Sequence, residues 1–253
     1  MNTVRVWLAA ALLLVVRLSA FALPPVAPEG TFEGQGRVQV TAELGRLDPM
    51  LELQGRLQDP AQEEWFRAAT LGAYYRLHRN LKVGAFYRLQ WGARHDDDWI
   101  GTWEWWDSGG RLEQVLMLDA SPRFLLPFLP GKDWVFQLKS RYLLDTWNLQ
   151  QSLLVRPELT WFLQVDRRPV LNVSLAYGLY FPLNFGETLV YEHAPYLALL
   201  YHVSPSVQLE LSGAYRTVIW STSQAAIDAS DPPYQIPFRA WVVGFGLLLR
   251  VGG

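Results

Sequence analysis

The stretch Leu71–Gly92 reads LGAYYRLHRNLKVGAFYRLQWG and contains two alternating runs joined at His78-Arg79-Asn80, a tight turn. A period of two over this length predicts β-strands, because side chains alternate across the pleat. In the second run an apolar face that includes Tyr87 and Trp91 opposes a face of cations, glycines and polar groups that includes Arg88. This pattern is typical of a transmembrane β-hairpin, with lipid on the apolar side and a polar lumen on the other.

The same alternation recurs along most of the chain. Eleven runs show it: Gly36–Leu44, Leu51–Leu57, Trp65–Leu77, Leu81–Gly92, Arg111–Ser121, Trp134–Asp145, Asn148–Leu163, Val170–Phe181, Tyr191–His202, Val207–Trp220 and Ile236–Val251. Short and long connections alternate between them, as short periplasmic turns and longer extracellular loops do in outer-membrane barrels. Because bacterial barrels use even strand numbers, the sequence predicts an all-β, antiparallel, up-and-down transmembrane barrel of ten or twelve strands. Pro157 and Pro195 fall within runs, so we expect bulges or strand ends there.

Composition supports this class. Half of the 253 residues are hydrophobic, twelve are Trp and none is Cys. Aromatic side chains are used at both membrane interfaces of a barrel. The formal net charge of −2 provides no basic surface for nucleic acid.

The first residues predict export rather than fold. Arg5 precedes the apolar run Val6–Val16, and Ala20 and Ala22 form an A-x-A cleavage site. This is the pattern of a signal peptide. We therefore expect a signal peptide over 1–22, a Pro-rich periplasmic leader over 23–31 and an outer-membrane barrel over 32–253.

With these features in place, the chain resembles a small Gram-negative outer-membrane β-barrel protein. The hairpin YYRLHRNLKVGAFYRLQ and the later RPELTWFLQ are loosely similar to uncharacterised barrel families of unknown function. Such a resemblance implies a porin-like architecture and brings no catalytic residues. It implies as partners the outer-membrane lipid, lipopolysaccharide and the barrel-assembly machinery; the oligomeric state stays open.

Alternation also assigns charged side chains to the lumen. The inward set is Arg37, Glu43, Glu52, Arg56, Arg88, Glu113, Asp119, Lys139, Arg141, Arg156, Glu158, Glu210 and Arg216, and the last nine are the predicted lumen charges. Buried charges must be paired and both signs are present, so an ion-pair network that largely fills the lumen is favoured. The alternative is a narrow water-filled pore with charge rings.

Aromatic residues at the end of the hairpin Leu71–Gly92 and in the stretch after it predict either an interfacial girdle, which is favoured, or a ligand-stacking platform. They are Tyr87, Trp91, Trp99, Trp103, Trp105 and Trp106. Asp96-Asp97-Asp98 beside His95 could bind a hard cation or bridge to lipopolysaccharide through one, but a solvated loop tip is favoured. No metal site or cofactor is predicted.

One pair of residues raises an enzymatic alternative. His202 and Ser204 lie two apart and would share a strand face, near enough for a base and a nucleophile. However, Ser204-Pro205-Ser206 is predicted to be a turn. The favoured function is therefore a non-enzymatic barrel, structural or weakly pore-forming. A lipid-modifying outer-membrane hydrolase and a soluble periplasmic lipid-binding barrel remain as alternatives.

Overall fold

The computed structural model describes residues 31–57, 66–91, 94–95, 106–107, 112–129, 133–146, 149–166, 168–184, 189–221 and 235–252. Thirteen strands lie in this part of the chain: β1 (Thr31–Ala42), β2 (Leu47–Leu57), β3 (Phe66–His78), β4 (Leu81–Trp91), β5 (Arg94–His95), β6 (Trp106–Asp107), β7 (Glu113–Leu125), β8 (Trp134–Asp145), β9 (Gln151–Val165), β10 (Arg168–Pro182), β11 (Glu192–His202), β12 (Val207–Ser221) and β13 (Gln235–Val251). The two-residue strands β5 and β6 pair with each other, and the other strands form one closed barrel.

The all-β barrel is confirmed, but the predicted strand number is wrong. Eleven strands close the wall, and each is paired on both sides. Consecutive strands are antiparallel, so an odd number makes the first and last strands point the same way. The closing pair, β1 with β13, is accordingly parallel, from Thr31 opposite Ala240 to Ala42 opposite Val251. The barrel is therefore mixed rather than fully antiparallel.

Because consecutive strands are antiparallel, successive connections lie at alternate ends of the barrel. One end, here the turn rim, carries connections of two to eight residues, and the other, the loop rim, carries connections of five to twenty-one. The predicted short connections all lie at the turn rim and the predicted long ones at the loop rim. Because the number of strands is odd, β1 begins at the loop rim whereas β13 ends at the turn rim.

The two faces of the wall have opposite polarity. Along β7, Glu113, Met117 and Asp119 are buried inside, whereas Leu116 and Leu118 alternate with them and are exposed. The same outward exposure holds elsewhere, with Leu71, Trp241 and Phe245 each more than 60% exposed. Polar side chains inside and apolar side chains outside are the reverse of the arrangement in a water-soluble barrel.

Both prolines lie in mid-strand, and the expectation of bulges or strand ends there is wrong. Pro157 pairs with Leu138 of β8, and Pro195 pairs with Tyr177 of β10. On the opposite side of each proline the ladder skips two residues and resumes in the same register. The missing N–H thus removes local bonds only, while the long flanking ladders hold the register.

Candidate functional site

The lumen contains a cavity of about 400 Å³ whose charged lining residues are mostly basic. Seven cationic and three acidic side chains line it: Arg37, Arg56, Arg88, Lys139, Arg141, Arg156 and Arg216, with Glu52, Glu192 and Glu210. They come from strands all around the barrel, because every strand sends alternate residues inward. Because the cavity brings most of the predicted lumen charges together, we treat it as the candidate site.

The structure brings six of the nine predicted charges to the cavity surface: Arg88, Lys139, Arg141, Arg156, Glu210 and Arg216. The other three lie in the wall beside it. Asp119 pairs with Arg141, Glu158 pairs with Arg156 at 3.2 Å, and Glu113 accepts a hydrogen bond from Gln90 Nε2 at 2.8 Å. Of the wider inward set, Glu43 is misplaced: it lies beyond the end of β1 and contacts Arg250 at 3.7 Å, with both side chains over a third exposed.

Asp119 is the centre of one network. Its carboxylate accepts bonds from Arg141 Nε at 2.5 Å and Arg141 Nη2 at 2.9 Å, the bidentate geometry that gives the strongest arginine–carboxylate pairs. Tyr74 donates its hydroxyl to the same carboxylate at 2.9 Å. Asp119 is only 4% exposed, so these donors replace the water that its charge would need.

A second network crosses the parallel seam, which is the pair of strands β1 and β13 that closes the barrel. Glu33 of β1 accepts from Arg216 of β12 at 2.6 Å and from Arg56 of β2 at 3.4 Å. Nearby, Arg37 of β1 forms ion pairs with Glu210 of β12 and with Glu52 of β2 at 3.6 Å. Contacts between β1 and β12 pass over β13, which lies between them.

Two glycines of β13 leave room for inward side chains of the flanking strands. A Cβ at Gly246 would lie 3.1 Å from Glu210 Cβ and 3.2 Å from Arg37 Nε, and a Cβ at Gly244 would lie 2.4 Å from Ser212 Oγ. A larger residue at position 246 would crowd the space through which Arg37 reaches Glu210. Glycine there allows the close approach of the two flanking side chains.

Sequence reasoning missed an apolar cluster inside the lumen. Met50, Phe86, Val115 and Met117 are buried together, with Tyr74 and Leu143 packed against them. Phe86 packs edge-on against Tyr74 at 4.7 Å between ring centroids. The alternation in β7 predicts that Val115 and Met117 face the lumen, because they share the face of Asp119. An assignment of lumen residues by charge alone omits them. Glu33 was missed because β1 begins five residues before the predicted run.

The predicted aromatic girdle is described only in part. Tyr87 faces outward and donates its hydroxyl to Gln114 at 2.5 Å, and Trp91 is half-buried at the end of β4. Trp106 lies in β6, opposite His95. Trp99, Trp103, Trp105 and Asp96–Asp98 lie outside the described residues. Phe32, Tyr201, Trp241 and Phe245 add outward aromatic surface that the sequence reasoning did not include.

The structure does not join His202 to Ser204 as a catalytic pair. Ser204 Oγ accepts hydrogen bonds from the backbone N–H groups of Ser206 at 3.2 Å and Val207 at 3.1 Å. His202 Nδ1 instead contacts Gln208 Nε2 at 3.1 Å. Ser204 thus stabilises its own turn, a common role of serine in turns.

Within the ranges that the structure describes, no group of three or more His, Cys, Asp or Glu side chains is arranged to hold a metal ion. In those same ranges there is no helix with the length and apolar character needed to cross a membrane.

Comparison of the chain with models of known protein families finds no match. Comparison with curated proteins also finds none.

Proposed function

We propose that the protein is a non-enzymatic β-barrel of a Gram-negative outer membrane, structural or a narrow pore, with a charged and largely filled lumen. The observation that supports this most directly is the inverted polarity of the wall. Exposed Leu, Phe and Trp side chains face outward while charged groups such as Glu33 and Asp119 are buried inside. Lipid would surround the apolar outer face, and ion pairs would neutralise the charged groups on the inner face.

We also propose how the protein reaches the membrane and which rim of the barrel faces the periplasm. The signal peptide is cleaved near Ala22, the barrel-assembly machinery inserts the chain, and the turn rim faces the periplasm. Outer-membrane lipid and lipopolysaccharide then surround the apolar face. The short turns and long loops on opposite rims support this orientation, because outer-membrane barrels share that asymmetry.

The side chains that fill the lumen leave room for a narrow pore at most. The apolar cluster around Met117 fills one side, and ion pairs cross the other side. The remaining cavity, about 400 Å³, suits ions or one small solute rather than the solutes that pass a general porin. The outward apolar face and the turn role of Ser204 support neither a soluble lipid-binding barrel nor a hydrolase.

The test begins with refolding of the mature protein in detergent and a gel assay for heat-modifiable migration. We expect folding that requires detergent, followed in planar bilayers by small ion-selective steps or by silence. Steps that Arg88→Ala alters, but the turn-rim control Arg250→Ala does not, would assign transport to the lumen. A folded protein that needs no detergent would contradict the membrane location, and porin-sized conductance would contradict the filled lumen.

A further inference from the structure

Lys139 is a lumen cation whose charge is poorly matched by the wall. Its side chain is 17% exposed, and in the described part of the chain the carboxylate within ion-pair range is Asp119, 3.9 Å from Nζ. The same Asp119 oxygen already accepts from Arg141 Nη2 and Tyr74, each at 2.9 Å. A buried charge with so distant a partner is costly.

The neighbouring carboxylates are held more closely by guanidinium groups. The pairs are Glu210 with Arg37, Glu52 with Arg37 and with Arg88 at 3.6 Å, Asp119 with Arg141 at 2.5 Å and Glu158 with Arg156 at 3.2 Å. Each of these arginines lies closer to a carboxylate than Lys139 does, and the 3.9 Å contact of Lys139 with Asp119 is the longest of the set.

The strand register adds repulsion at the same point. Lys139 of β8 lies directly opposite Arg156 of β9, and inward residues that face each other in this way have Cβ atoms about 5 Å apart. Arg141, two residues along β8, shares the inward face. Like charges directly opposite each other destabilise a sheet. Among the described residues, Arg156 Nε is buried without a hydrogen-bond acceptor, as are the Nε atoms of Arg37 and Arg56 in the same cavity wall.

These groups converge on open space rather than on packed protein. Lys139, Arg141, Arg156 and Arg88 all line the lumen cavity. Its volume of about 400 Å³ lies within the usual range of small-ligand sites. An anion there would supply Lys139 with a closer negative charge than Asp119 does, and its oxygens would accept hydrogen bonds from the ammonium group of Lys139 and the guanidinium group of Arg156.

We propose that the lumen binds a small phosphate-type oxyanion between Lys139 and Arg156. This inference rests on the proposed lumen, and it names the solute class that the lumen takes. Phosphate oxygens accept charge-assisted hydrogen bonds from both guanidinium and ammonium groups. The phosphate group is the recognised chemistry, whether it is inorganic phosphate or the end of a small organic phosphate ester.

The test uses the full mature chain, folded in detergent, with inorganic phosphate and glycerol 3-phosphate as probes. Calorimetric titration and thermal unfolding are run against chloride at matched ionic strength. We expect phosphate binding that raises the melting temperature, since a ligand of the folded state stabilises it. Lys139→Met should weaken binding by at least about ten-fold, because it removes a charge-assisted bond.

Lys82→Met is the matched control, because Lys82 has its own carboxylate partner, Asp48, at 3.1 Å and does not line the cavity. It should bind phosphate like the wild type. In phosphate-free buffer, Lys139→Met should be at least as stable as the wild type, since it relieves repulsion, whereas loss of a merely structural lysine would lower stability. If Lys139→Met does not fold, Arg156→Gln takes its place.

Each outcome is decisive. Binding of either probe that Lys139→Met weakens and Lys82→Met does not supports the site, and the comparison of the two probes shows whether the ester is recognised. No binding by the folded wild type, or equal binding by the wild type and both lysine variants, overturns it. A protein that folds without detergent would contradict the membrane location while leaving the phosphate measurement readable, so the two proposals fail separately.

Discussion

Two regions of the same lumen are filled by different physical means. At the parallel seam, Glu33 and Arg37 of β1 form ion pairs that reach β2 and, over the glycines of β13, β12. On the side of β4 and β7, Phe86 and Met117 form an apolar cluster. Ion pairs depend on complete sets of partners, whereas apolar packing depends on volume. The seam should therefore be the more sensitive to single changes of charge, and the cluster to changes of size.

The sharpest test of the seam is covalent, because its outcome is all or none. Phe32 and Trp241 are register partners across β1 and β13, and neighbouring strands lie about 4.8 Å apart, within the Cα separation of a disulfide. The chain contains no Cys, so the double variant Phe32→Cys/Trp241→Cys should cross-link on oxidation and migrate differently on a non-reducing gel.

The control shifts one partner by four residues. Phe32→Cys/Phe245→Cys places the two thiols about 13 Å apart along the strand, and we expect no cross-link. Equal cross-linking in both variants, or cross-linking only in the control, would contradict the parallel register and with it the eleven-stranded closure.

The next largest effect is expected from removal of charge at the seam. Glu33 is completely buried, and Glu33→Gln takes away the charge that Arg56 and Arg216 share. Breaking a buried ion pair costs about 3–5 kcal/mol, and we expect a loss of this size for Glu33→Gln. The measurement is the free energy of unfolding by urea of the protein folded in lipid vesicles. Glu43→Gln, at the exposed rim pair with Arg250, should cost at most about 1 kcal/mol. If the two variants were equally stable, the seam network would not contribute to stability.

In the apolar region the expected cost depends on volume. Met117 is 1% exposed, and Met117→Ala leaves a cavity beside Phe86. Methionine-to-alanine changes in cores cost about 2–5 kcal/mol, which urea unfolding measures. Leu118→Ala is the matched control, since Leu118 is the next residue and faces outward, and its effect should be smaller. A larger effect at Leu118 would mean that the apolar cluster is loosely packed.

The sequence predicts which side chains face the lumen better than it predicts how the strands close the barrel. Period-two alternation placed Arg88, Lys139 and Arg141 inside, because side-chain direction is a local property of a strand. The sequence shows eleven alternating runs, but the even strand number of bacterial barrels does not hold here, because parallel strands also pair through hydrogen bonds and can close the wall. Partners could not be predicted: Glu33 and Arg216 are 183 residues apart, and only the barrel's closure brings them together.

The smallest predicted effect concerns Gly246 of β13, over which Arg37 reaches Glu210 at the seam. Gly246→Ala places a Cβ 3.1 Å from Glu210 Cβ and 3.2 Å from Arg37 Nε, so the ion pair across β13 must shift. Overpacking of this kind costs about 1–3 kcal/mol, again measured by urea unfolding. Gly55→Ala is the matched control: it changes a strand glycine on the outer face, where a Cβ would meet nothing within 4 Å. Because alanine restricts the unfolded chain more than glycine does, Gly55→Ala should be neutral or slightly stabilising. Equal effects at both positions would show that glycine is not needed for Arg37 to reach Glu210.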